Sequence, residues 1–218
     1  LSARGISRRK KETCSFPPLS ILFKQKPAGS SLFDGQHRMK LVTHCRPDGQ
    51  FDQFLLKEYA AYRLYNQLTD KSLKVRLARV RYMDGGKLVA ERPAFFIEDV
   101  DDAARRLDKK KIENSGIPKS ALNREDTARY ALFQFMIGNL DWDMTNGPTV
   151  NDCCHNSKIL GASLEARTEL TPVAYDFDYS GLVNAPYATP PPSIPVRQVT
   201  QRFYRGLCRH NEETRRLV

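Results

Sequence analysis

The chain lacks any apolar run near the ~20 residues that a membrane-spanning helix requires, so no transmembrane segment is expected. None of its five cysteines forms a C-x-x-C pair and no histidine stands at a zinc-ligand spacing, which argues against a zinc site. No nucleic-acid-binding motif accompanies the basic charge, so nucleic acid is not an expected partner. There is no G-x-G-x-x-G loop and no internal repeat. No charged n-region with an apolar h-region opens the chain. It starts at Leu1 rather than Met, so the missing leader carries no weight on compartment.

What is present fits a globular protein. The 218 residues are 40% hydrophobic, enough for one compact domain or two small lobes. Lys and Arg number 35 against 25 Asp and Glu, a formal net charge of +10. Much of the excess sits at the ends, in Arg4, Arg8, Arg9, Lys10 and Lys11 and in Arg202, Arg205, Arg209, Arg215 and Arg216. Such charge favours anionic partners; the C-terminal run reads as solvated surface. Cys14 and Cys45 flank two strand-like segments, compatible with a disulfide in an oxidising compartment. Five free thiols in a cytosolic protein fit the sequence as well.

Local patterning predicts the elements. FPPLSILF (16–23) and RMKLVTHC (38–45) read as strands. A helix is expected over 51–68, where Leu55, Tyr59, Tyr62 and Tyr65 recur at three- and four-residue steps and Glu58 borders their stripe. Alternation over 73–84, the Asp84-Gly85-Gly86 turn signal and AFFIE (94–98) predict a hairpin, followed by a surface helix at 99–106. Asn123 caps a helix carrying Ala128, Ala131, Leu132, Phe135 and Met136 and ending at Gly138. Two short strands follow, in HNSKIL and TPVAY. The Pro-rich 185–195 is an ordered extended segment or a mobile flap, and a last helix is expected at roughly 198–207.

The chemistry lies in an order of residues. Asp141 and Asp143 flank Trp142 just past a helix end, Asn156 precedes a strand, and Asp176 and Asp178 flank Phe177 after another strand. Protein-kinase-like enzymes use this order: an Asp orients the acceptor hydroxyl, and a later Asn and Asp hold Mg²⁺ on the nucleotide phosphates. Oxygen donors of this kind suit Mg²⁺. Lys40, in an apolar strand, needs a partner, and Glu58 with phosphate oxygens would supply it. Asp143 is a supporting ligand, a partner for a nearby cation, or a turn cap. His155 is placed to orient the loop.

These segments resemble the atypical, kinase-like CotH family of spore-coat and secreted protein kinases. RGISRRKK, AFFIEDVD, GNLDWD with HN, and PVAYDFD carry the resemblance, and HipA-type kinases show a similar order. The resemblance implies an α+β, two-lobed kinase-like fold, with a small antiparallel N-lobe over 1–100 and a reduced, mainly helical C-lobe over 101–218. It implies an ATP- and Mg²⁺- or Mn²⁺-dependent phosphotransferase acting on protein hydroxyls. Asp141 would be the base, Lys40 and Glu58 the phosphate-positioning pair, and Asn156, Asp176 and Asp178 the metal ligands. Gly5 would stand near the phosphates, and Met144 to Cys154 would be looped out. A catalytically inactive, kinase-shaped binding module is the alternative. Together with the cysteine placement, the resemblance favours a secreted or periplasmic location.

Overall fold

The computed structural model describes residues 1–5, 7–147, 149 and 153–218. Among the described residues, two antiparallel sheets and four α-helices are built around one main core, with a small separate cluster at Cys14, Cys45 and Phe51. The first sheet has the order β1-β2-β3-β5-β4, formed by β1 (Ser2–Ala3), β2 (Leu19–Leu22), β3 (Arg38–Val42), β4 (Val75–Asp84) and β5 (Lys87–Ile97). The second has the order β6-β7-β8, from β6 (Lys110–Ile112), β7 (Ser157–Gly161) and β8 (Thr171–Ala174).

Helix α1 (Gln50–Leu68) buries Phe51, Leu55, Glu58, Ala61, Tyr62 and Tyr65. Glu58 therefore lies within the buried stripe, not at its border. In the first sheet Val42 pairs with Phe95 and Lys40 with Ile97. Side chains alternate faces along a strand, so Lys40, Val42, Phe95 and Ile97 share one face. Phe95 meets Tyr59 and Tyr62 of α1 there, each with ring centroids 5.7 Å away. Lys40 thus points toward the interior side of the sheet.

Helix α2 (Val100–Arg106) starts at Asp99, whose side chain accepts from the Asp101 amide. Helix α3 (Arg124–Met136) is capped by Asn123, which accepts from the Asp126 amide at 3.0 Å. Gly138, at φ +65°, takes the left-handed conformation that ends a helix. Rings link the two halves of the chain. Tyr62 lies 4.5 Å from Phe177, Phe177 lies 5.5 Å from Phe133 of α3, and Tyr65 lies 4.5 Å from Phe133. The core thus crosses the boundary expected at residue 100 without a break.

The chain end departs from expectation. Residues 198–207 form no helix; α4 is Asn211–Arg216. Arg202, Arg209, Arg215 and Arg216 are exposed, as expected of a solvated run, but Arg205 is drawn partly inside. Arg202 donates to the Met136 carbonyl at the end of α3, and Arg205 donates to Leu140 O (2.7 Å) and Trp142 O (2.5 Å) while stacking on the Trp142 ring. Carbonyls at a helix C-terminus need donors, and an extended strap delivers them. The amides of Arg197 and Gln198 donate to Gln201 Oε1, a local side-chain bonding that competes with helix formation at the same place.

The Pro-rich segment packs onto the body through successive turns, closed by the amides of Ala188 and Ile194 donating to Ala185 O and Pro191 O. Ala185 and Ile194 are buried, and Tyr187 packs on Cys14, Cys45 and Phe51. The sulfurs of Cys14 and Cys45 are at disulfide distance, as are those of the adjacent Cys153 and Cys154. No helix is long and apolar enough to cross a membrane among the described residues.

Candidate functional site

Three chain segments meet at one mouth. Gly138 turns the chain out of α3. Asn139 then holds the loop, its Oδ1 accepting from the Asp141 amide (3.1 Å) and its carbonyl from the Trp142 indole (3.0 Å). The loop from 144 to 154 leaves and returns at one neck, where Asp143 and His155 exchange backbone bonds of 2.8 and 2.9 Å. This is the looping-out that the spacing of Asp141 and Asn156 demanded; Pro148, Val150, Asn151 and Asp152 lie outside the described residues. Asp143 serves the neck itself. Its Oδ1 accepts from Thr145 N, Thr145 Oγ1 and Asn146 N. Burial raises the Asp143 carboxyl, but these donors outweigh it and hold the group below the usual carboxylate range. Asp143 is a turn cap here.

The neck delivers His155 and Asn156 to Asp141. His155 Nε2 lies 2.7 Å from Asp141 Oδ1, and Asn156 Nδ2 donates to Asp141 O (2.8 Å) and Oδ2 (2.9 Å). The Asp141 hydrogen bond raises the His155 pKa, against the opposing effect of burial. With its amide nitrogen so engaged, Asn156 keeps Oδ1 without a protein donor among the described residues. The backbone of Asn156 in turn accepts from the Tyr175 amide at 3.3 Å, which brings Asp176 alongside. Asn156 and Asp176 both have positive φ, +47° and +64°. Non-glycine residues take this conformation at a cost of order 1–3 kcal/mol, met by surrounding structure and concentrated at functional sites. For Asp176 the support includes Tyr62, whose hydroxyl accepts the Asp176 amide at 2.8 Å.

Behind this mouth lies a second group of charges. Arg8, on a short 3-10 turn (Ser7–Arg9), is buried, and its guanidinium reaches Glu58 Oε2 (3.3 Å), Asp176 Oδ1 (3.1 Å) and Asp178 Oδ2 (3.4 Å). Tyr187 lines the same small cavity as Arg8, Glu58 and Asp178. The expected partner of Glu58 was Lys40; the structure gives it Arg8. The register explains the exchange, because Lys40 sits on β3 over the ring of Tyr175, with Nζ 4.9 Å from the centroid. Burial is the first cause that raises Glu58, to about 8, with Arg8 opposing and Asp178 and Asp176 adding to it. Burial also raises Asp178, to about 6.

Lys40 has a second cationic neighbour. Lys158 of β7 places its Nζ 5.0 Å from the same Tyr175 ring. Burial, then the charges of Arg4 and Lys158, lower Lys40 to about 8. Burial, then Lys111, lowers Lys158. A cavity of about 360 Å³ is lined by Lys111, Glu113, Cys153, Ser157 and Lys158. The site is therefore bipolar, with an acidic mouth beside a cationic bracket around Tyr175.

No family model and no curated protein matches this chain. The site must be read from its own geometry. Asp141 and Asn156 touch, and the Tyr175 amide bond to Asn156 O ties the Asp176 segment to them; Glu58, Asp176 and Asp178 join through Arg8; Lys40 stands apart from Glu58. Sequence reasoning missed Arg8 and Lys158. Nothing local distinguishes Arg8 from Arg9, Lys10 or Lys11, whereas Lys158 had a weak signal in an otherwise apolar strand two residues after Asn156.

The Lys40 shift leads to a test of the cationic bracket. At pH 8 about half of Lys40 is neutral. A polyphosphate bound there raises its pKa, so the complex holds more protons than the free protein. ATP binding is therefore expected to take up about half a proton per chain at pH 8 and almost none from Lys40 at pH 6. Affinity should fall as pH rises above 8. Calorimetry in buffers of different ionisation enthalpy measures the uptake, and Lys40→Met should remove it. Unchanged uptake in that variant would place the phosphates elsewhere.

Proposed function

We propose that this chain is an ATP- and divalent-metal-dependent phosphotransferase of the atypical, kinase-like type, with a protein Ser/Thr hydroxyl as acceptor. The observation that carries the reading is the meeting of Asp141, Asn156 and Asp176 from three separate segments, beside the Lys40–Lys158 bracket. On this reading the sheet over 1–100 is the N-lobe and 101–218 supply the catalytic half.

The oxygen donors suit Mg²⁺ or Mn²⁺. Asn156 Oδ1 has no donor among the described residues, and the Asp176 side chain is 31% exposed, with Oδ1 tied to Arg8. These two are the ligands that fit best; Asp178 faces inward to Arg8. A divalent ion held there would neutralise charge on the phosphates.

The residues divide the remaining work. Lys40 and Lys158 bind phosphate oxygens, and the cavity that shares Lys158 has room for the nucleoside. Asp141, fixed by His155 and Asn156, aligns the acceptor hydroxyl. The hydroxyl oxygen forms a bond to the γ-phosphorus, the bond from that phosphorus to the β–γ bridging oxygen breaks, and ADP leaves. The hydroxyl proton goes to Asp141. The two disulfide-distance pairs support an oxidising, extracytoplasmic compartment.

One observation favours a second reading, a kinase-shaped binding module without turnover: Arg8 occupies Glu58, which active kinases pair with lysine. Two measurements separate the readings. ATP at 100 times its dissociation constant should stabilise the fold by ~2.7 kcal/mol, and only with Mg²⁺ or Mn²⁺ present. Labelled ATP should transfer its γ-phosphoryl to the chain, to added protein or to water. Stabilisation without transfer selects the binding module; neither result would remove nucleotide from the account.

A further inference from the structure

Arg8 does not form an ordinary ion pair. Arginine commonly grips one carboxylate with two parallel bonds. Here Nη1, Nη2 and Nε each address a different carboxylate, on Glu58, Asp176 and Asp178. That is how a central cation is surrounded. The three acids offer oxygens that all lie within 4.8 Å of one another. With Mg–O distances of about 2.1 Å, oxygens sharing an octahedral ion stand about 3 Å apart when adjacent and about 4.2 Å apart when opposite, so the three acids would draw inward around a divalent ion in place of the larger guanidinium. Glu58 is 2% exposed, and its Oε1 has no hydrogen-bond partner among the described residues. A buried carboxylate oxygen left without a donor is costly, and a metal ion would satisfy it where a planar guanidinium does not. A small cavity, of about 10 Å³, borders Arg8, Glu58 and Asp178.

We infer that the Arg8 guanidinium is a built-in cation that fills an inner divalent-metal position made by Glu58, Asp176 and Asp178, so that the protein takes one fewer metal ion than its acids could hold. The N-terminal segment supplies permanently a charge that would otherwise come from solution. The outer position, at Asp176 and Asn156, stays open. The inference rests on the proposed function only for that outer ion and requires no phosphotransfer.

The test counts Mn²⁺ per chain by calorimetry and electron paramagnetic resonance, without nucleotide. Wild type is expected to bind one ion and Arg8→Met two. Arg8→Lys should stay at one, and Arg8→Met with Glu58→Gln should lose the gained ion. Equal counts in wild type and Arg8→Met overturn the inference. Counts of zero and one would uphold it while removing the outer site, and with it the proposed reading. If Arg8→Met does not fold in metal-free buffer, its refolding from urea is titrated with Mn²⁺. Recovery at one additional ion per chain supports the inner site, and no recovery at millimolar Mn²⁺ overturns it.

Discussion

Asp176→Asn is expected to abolish metal-dependent nucleotide binding, whereas Asp141→Asn should leave binding nearly intact and lower turnover by about 10²–10⁴-fold. The difference follows from where the charges sit. Asp176 is the one carboxylate shared by the exposed mouth and the buried Arg8 group. A neutral amide there removes a ligand where divalent charge must be balanced. Asp141 is held by His155 and Asn156 and faces the place of the acceptor, so its loss is felt in the transition state. Neither change removes core volume, so both variants should fold. Nucleotide affinity by calorimetry and single-turnover rates separate the roles. If Asp141→Asn loses ATP affinity as severely as Asp176→Asn, Asp141 belongs to the metal shell. The base would then have to be sought elsewhere, and the turn-capping bonds of Asp143 make it a poor substitute.

Phe177→Ala should destabilise the fold by about 3–5 kcal/mol, the range for emptying a buried phenylalanine site. Phe177 is fully buried between Tyr62 of α1 and Phe133 of α3. It is also the residue between Asp176 and Asp178, so the cavity would loosen both acids. Metal affinity should fall with stability, although no ligand has been changed. Phe177→Leu, which keeps most of the volume, should cost under about 1.5 kcal/mol and retain metal binding. Urea unfolding and Mn²⁺ titration of both variants check this. Intact metal affinity in a folded Phe177→Ala would mean that the Asp176 turn is held by Tyr62 and Asn156 alone.

Read from the residues alone, the elements up to Gly138 were largely legible, whereas the helix expected at 198–207 was not there. The apolar steps of α1, the Asn123 cap, the Gly138 stop and the Asp84-Gly85-Gly86 turn are information carried within a few neighbouring residues. The same is true of the order of Asp141, Asn156 and Asp176 along the chain. The tertiary structure decided the partners. Arg8 meets Glu58 across 50 residues and Asp176 across 168, and no local pattern encodes such a closure. Lys40 and Glu58 looked matched by charge, but the strand register sends Lys40 to Tyr175, while the N-terminal turn brings a guanidinium to the buried acid first. Arg205 read as surface charge because a sequence does not reveal which backbone carbonyls lie within reach. Local propensity is set by backbone sterics and short-range bonds, whereas the pairing of buried charge is set by what the packed chain excludes from water.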